Sequence, residues 1–217
     1  MAEPSGAAKA APATAHAAAL VHDPGAYRRS FSRRAENELP FDPAVLPPDL
    51  PVMFDTTFYI HRLQGQVPPD TLTWIGTRRV LHSAIALAEL SITAGILDPG
   101  HPDSGRNTGP LLRLLEAIRL SDSRAPSPVA WVEAGMLSGI LARTQFNLVR
   151  PKKQLTPAEE CCQKGRRREL LNDALVFLTA REQGAILISA NASDMDVLLR
   201  FRPDTRILLY RQTQRAK

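Results

Sequence analysis

The chain has 217 residues, 44% of them hydrophobic, which is ordinary for a globular protein and leaves room for one core plus appendages. No window approaches the ~18 to 20 apolar residues of a membrane helix, the Ala-rich start lacks the apolar core of a secretory signal, and the adjacent Cys161 and Cys162 build neither a disulfide framework nor, alone, a zinc site. Formal charge is +5, concentrated in residues 150–217, where fourteen Lys/Arg face eight Asp/Glu.

A cytoplasmic location without membrane contact is therefore expected. A basic end suits a polyanionic partner, although many proteins are mildly basic for no reason of function.

In chain order, residues 1–20 hold ten alanines among Pro, Ser and Gly and read as a low-complexity, disordered tail. Residues 21–50 bring two Arg pairs and several prolines, so 1–50 as a whole is expected to be a flexible arm. The folded domain is expected to span 51–212, with 213–217 a basic tail. It opens with a short apolar strand, Val52–Phe54, and a helix, Thr56–Leu63. A second strand at Arg79–His82 leads to Ser83, a good N-cap, and the apolar helix Ala84–Ile96.

Residues 97–109, rich in Gly, Pro, Asp and Asn, read as a loop, and Gly109–Leu120 shows helical spacing. A strand within Leu120–Ala125 is only weakly signalled. Ser127–Pro128 pairs a cap with an N1 proline before a helix to about Thr144. Thr156-Pro157-Ala158-Glu159 forms a capping box opening a helical tract to about Gln183, with Gly184 as its stop. Ala185–Ser189 and Arg206–Tyr210 are the remaining strand candidates. Strands alternating with helices imply an α/β fold, a mostly parallel sheet covered on both faces.

Four acids keep unusual company. Asp55 ends the first strand and is the only charge from Pro51 to Ile60. Glu89 is the only charge from Ser83 to Leu97, and Asp173 the only one from Leu170 to Ala180. Asp194 follows the strand Ile186–Ser189. Carboxylates are rarely buried alone. If these converge, two of them ~5 Å apart repel by roughly 3 kcal/mol at an effective dielectric of 20. A divalent cation would relieve that repulsion, and Mg²⁺ suits carboxylate oxygens and can activate water.

Each residue also has a plainer reading. Asp55 could merely cap the following helix, Asp194 could be an ordinary acid at a helix start, and Glu89 and Asp173 could pair with distant arginines.

The order Phe-Asp-Thr-Thr-x-x-Ile (54–60), His-Ser-x-Ile-x-Leu-Ala-Glu-Leu (82–90), Leu-Asn-Asp-Ala-Leu-Val (171–176) and Leu-Ile-Ser-Ala-Asn-x-x-Asp (187–194) resembles the PIN domain. It is most similar to the VapC toxin ribonucleases of VapBC toxin–antitoxin pairs, over about residues 51–212. The resemblance implies a three-layer α/β/α domain that hydrolyses RNA with Mg²⁺ or Mn²⁺. Asp55 and Asp173 would be the principal metal ligands, and Glu89 and Asp194 would complete the acidic pocket directly or through water. Thr56 would help hold the first Asp or a water on the metal, and Asn191 would position the loop before the last acid.

Asp196 competes with Asp194 as that acid, and Ser189-Ala190 stands where the family often has Thr-Arg. An antitoxin protein and a homodimer would accompany a toxin. Two other readings stay open. One is a non-catalytic module of the same fold that binds RNA or protein. The other is a haloacid-dehalogenase-like phosphatase, which fits the strand–Asp55 start, Ser83, Lys164 and Asp194 or Asp196 loosely but would want a second Asp where Thr57 stands and would leave Glu89 unused.

Overall fold

The structure is a computed structural model that describes residues 12, 14–29, 31, 32, 34–97, 104–145 and 166–213. Five parallel strands form one sheet: β1 (Val52–Phe54), β2 (Val80–Ser83), β3 (Ser123–Arg124), β4 (Ile186–Ser189) and β5 (Ile207–Leu209). Their spatial order is β3-β2-β1-β4-β5. Every residue of β1, β4 and β5 is buried, so both faces of the sheet are covered, and this is why the strands read as unbroken apolar runs. The fold is α/β, as the alternation of elements implies.

The helices are α1 (Ala15–Ala19), α2 (Thr56–Leu63), α3 (Pro69–Gly76), α4 (Ala84–Ile96), α5 (Ser104–Glu116), α6 (Pro128–Thr144), α7 (Arg166–Glu182) and α8 (Ala192–Phe201). The starts of α4 and α6 follow from caps legible in the sequence. Ser83 Oγ accepts from the Ala86 N–H, and Ser127 Oγ from the Ala130 N–H with Pro128 at the first helical position. Gly184, at φ +60°, ends the turn after α7, a conformation that costs glycine little. Among the described residues no helix is long and apolar enough to cross a membrane.

Two expectations change and one cannot be placed. Helix α5 begins at Ser104, inside the segment read as a loop, and carries Pro110 within it. Burial of Leu111 in the core and packing of α5 on α4 outweigh the poor helix propensity of Gly, Asn and Pro. The capping box at 156–159 lies outside the described residues, as do Lys164 and the end of the tail.

The larger change lies upstream of Pro51. Described residues between 14 and 50 pack on the domain instead of standing off as an arm. Tyr27 and Phe31 meet Phe201 with ring centroids 4.5 and 5.6 Å apart, and Ala18 is buried. The Leu209 N–H donates to Pro40 O at 2.8 Å, so the segment also covers the outer edge of β5. These contacts are made singly, to elements distant in the chain, and leave no periodic mark in the sequence.

One anchor of this segment is a buried ionic cluster. Glu133, 3% exposed on α6, accepts from Arg202 Nε and Nη2 at 2.6 and 2.8 Å, and lies 2.9 Å from His22 Nε2. Burial alone would raise its pKa, but hydrogen bonds and charge from His22 and Arg202 win and hold it at about 2. A depressed carboxylate contributes stability above its ordinary pKa of 4.5 and loses it as pH falls toward about 2. Glu133→Ala strands Arg202 without its partner and is expected to cost about 3–5 kcal/mol. Urea unfolding at neutral pH checks this, and the difference from the parent should shrink on acidification through that window.

Candidate active site

The strand order places β1 between β2 and β4, so the chain leaves β1 toward one side of the sheet and returns to fill the other. The carboxyl ends of β1 and β4 therefore border a topological switch point, where open α/β sheets form their binding crevice. Asp55 follows β1 directly, and Ser189 closes β4. The two strands run in register, Phe54 opposite Ile188, and the Asp55 N–H donates to Ile188 O at 3.2 Å.

Asp55 is 5% exposed and three donors converge on it. Its Oδ1 accepts from the Phe58 N–H at 2.8 Å, capping α2, and its Oδ2 accepts from Thr57 Oγ1 at 2.7 Å and from Ser189 Oγ. The capping reading of Asp55 is thus true, and it coexists with a place in the crevice. Burial pushes the Asp55 carboxyl up in pKa, against these hydrogen bonds and the charge of His61.

Glu89, half-buried on α4, is held by two donors: Thr56 Oγ1 on one carboxylate oxygen and Asn172 Nδ2, at 2.7 Å, on the other. Asp194, in the first turn of α8, is held by the cap residue Asn191. The Asn191 Nδ2 donates to its Oδ2 at 2.8 Å, and the Asp194 N–H donates back to Asn191 Oδ1 at 3.3 Å.

Asp173 on α7 lies among the other three acids and accepts no hydrogen bond from the described residues. Its carboxyl is pushed up to about 8, first by burial and then by the charges of Asp194, Asp55, Glu89 and Glu169. Among the described residues none of Asp55, Glu89, Asp173 and Asp194 forms an ion pair.

Asp196, the competitor of Asp194, points elsewhere. It is buried against the N-terminal segment, where Arg34 Nε donates to it and Arg200 Nε lies 3.8 Å away. Thr56 turns to Glu89 and not to Asp55; the hydroxyls on Asp55 are those of Thr57 and Ser189. Ser189, noticed in the sequence only for what it replaces, is fully buried and also accepts from the Asn191 N–H at 2.9 Å, joining β4 to the α8 cap. Its signal was a lone hydroxyl closing an apolar strand. Asn172 had a fainter one, an amide beside Asp173 in an apolar helix.

The donor set suits a hard divalent ion in its chemistry: oxygen only, with a surplus of negative charge. Among the described residues no three His, Cys, Asp or Glu side chains lie close enough to hold one ion directly. A site of one or two direct carboxylates with retained waters is the mode Mg²⁺ favours.

The chain is thus a parallel α/β protein with a group of acids near the switch point of its sheet. No family model matches it, and no curated protein does. Two solved structures are similar: FitAB bound to an IR36 DNA fragment, at 11% identity and a TM-score of 0.46, and FitAcB from Neisseria gonorrhoeae, at 16% and 0.44. The likeness covers 73% of this chain and 94% of the first, and 72% of this chain and 96% of the second.

The raised Asp173 carries a consequence for stability. Its folded pKa, about 8, exceeds the ordinary 3.8, so between these values the folded state holds a proton that the unfolded state has lost, and stability falls as pH rises. In metal-free protein Asp173→Asn removes this cost. Its melting temperature should gain on the parent from pH 4 to pH 8, ending a few degrees above it if the relief is on the order of 1 kcal/mol. A difference that stays constant with pH would contradict the clustering of these acids.

Proposed function

We propose that the chain is a PIN-type ribonuclease that uses Mg²⁺ or Mn²⁺ to hydrolyse RNA. The observation that carries this reading is Asp173, a half-buried carboxyl that feels the charges of Asp194, Asp55 and Glu89, with no ion pair among the described residues to offset them. Such an arrangement lowers stability and is retained where the charge binds something positive.

Asp55 and Asp173 would hold the ion, and Glu89 and Asp194 would act on it directly or through water. The ion supplies charge neutralisation at the phosphate and makes water a better nucleophile. The remaining work falls to the chain's own residues. Thr57, Ser189 and the Phe58 amide fix Asp55 so that little reorganisation is needed when substrate arrives. Thr56 and Asn172 orient Glu89, and Asn191 orients Asp194, so that the acids present fixed faces to the crevice. The net charge of +6 in residues 150–217 favours approach of a polyanion.

If the chain is a toxin of the VapC kind, an antitoxin protein and a homodimer accompany it, and it acts in the cytoplasm. One observation favours a second reading, a non-catalytic module that binds RNA or protein: Asp55 already accepts from three protein donors and no three ligand side chains meet among the described residues.

Cleavage of a labelled RNA panel with Mg²⁺ or Mn²⁺, against EDTA controls, separates the two. Asp55→Asn and Asp173→Asn should each lose more than the ~10- to 100-fold typical of altering a residue behind a metal ligand. Asp204→Asn, which disturbs only an exposed pair with Arg181, should keep its activity. RNA binding without metal-dependent cutting would favour the non-catalytic module. Equal cutting by all variants would sink the site.

A further inference from the structure

A concavity lies beside the end of β5. It encloses about 420 Å³ between α3, the residues that follow β5 and the N-terminal segment, and its walls include Phe41, Pro68, Asp70, Trp74, Tyr210 and Arg211. That volume falls within the range of small-ligand pockets. Tyr210 connects it to the acidic crevice. The Tyr210 N–H donates to Ser189 O at 3.1 Å, its ring meets Phe58 edge-on at 5.9 Å, and its hydroxyl pairs with His61 Nδ1 at 2.9 Å. Ser189 and Phe58 are the residues that fix Asp55, so the pocket begins where the acid site ends.

Two walls carry aromatic–guanidinium stacks. The Arg78 guanidinium lies 3.5 Å from the Trp74 ring centroid, and that of Arg211 lies 4.1 Å from Phe41. Arg78, which stands behind the lining residues, has its Nη1 tied to Trp74 O at 2.6 Å, and Arg211 on the wall pairs with Glu36 at the surface. Aromatic rings and guanidinium planes are the surfaces on which unpaired bases stack. Asp70 and Thr71, also on the wall, offer a carboxylate and a hydroxyl to the polar edge of a base.

From this we infer that the pocket is a nucleobase slot. It takes one unpaired base of an RNA strand whose neighbouring phosphate lies at the acids. The inference rests on the ribonuclease reading for the direction of the strand, but not for the slot's affinity. A proline-rich peptide could use the same rings. The guanidinium planes and the continuity with a phosphate-directed site favour the base.

Trp74 reports on the slot directly. In a full-length Trp131→Phe protein it is the remaining tryptophan, and its fluorescence should be quenched by a short single-stranded RNA and by nucleoside monophosphates. Trp74→Ala should weaken RNA binding, read by anisotropy, about 5- to 100-fold, the range for loss of one stacked base, and Trp74→Phe should restore most of it. Should Trp74→Ala fold poorly, Thr71→Trp tests the same point by filling the slot. No quenching, together with unchanged affinity in Thr71→Trp, overturns the slot even if metal-dependent cleavage persists. Quenching by a proline-rich peptide but not by RNA overturns it as well. Quenching by RNA in a protein that never cleaves upholds the slot and sinks the nuclease reading instead.

Discussion

The parallel pairing of β1 with β4 is the constraint on which the site depends. With Phe54 opposite Ile188, the residue after one strand and the residue closing the other arrive side by side, and the Ser189 hydroxyl can reach Asp55. A one-residue slip would turn Ser189 to the opposite face and leave a buried carboxylate without one of its donors. The same register brings Asn191 over the crevice, and with it Asp194. The chain reaches β4 only after building the other half of the sheet, so a contact spanning most of the domain fixes a geometry that must be local.

The buried and half-buried acids Glu133, Asp196, Asp55, Glu89, Asp194 and Asp173 fall into two kinds. Glu133 and Asp196 each have guanidinium partners, and they bind the N-terminal segment to the body. Asp55, Glu89 and Asp194 are met by hydroxyls, amides and backbone N–H groups, which orient a carboxylate without cancelling its charge. Asp173 has neither kind of support from the described residues, and its proton affinity rises accordingly. The first group holds the structure together. The second concentrates negative charge at one end of the sheet, the place where an α/β protein of this topology binds its ligand.

The N-terminal segment links these features. It crosses α6 and α8, meets Glu133 with the His22 ring and pairs Arg34 with Asp196, then covers β5 with Pro40 and lines the slot with Phe41. Removing Asp196 from play clarifies which acid faces Asp173. It also shields the outer strand, whose unpaired N–H and C=O groups would otherwise template association with another chain.

The sequence by itself determined the class of fold and most element boundaries, because apolar runs, Ser83, Ser127–Pro128 and Gly184 act through neighbours a few residues away. It also marked Asp55, Glu89 and Asp173 as charges isolated in apolar surroundings. That mark is ambiguous, since Glu133 sits equally alone in its helix and proves to be a paired structural acid. Only the tertiary structure separated them, by delivering Arg202 and His22 to Glu133 and no cation among the described residues to Asp173. It likewise paired Asp196 with Arg34 and Asp194 with Asn191, gave Thr56 to Glu89 and Thr57 to Asp55, and folded described residues upstream of Pro51 onto the domain. The physical reason is that a charge or a hydroxyl acquires its role from the groups that surround it in space, and the deciding ones, Arg202, His22, Arg34 and Ser189 among them, come from parts of the chain that no local pattern connects.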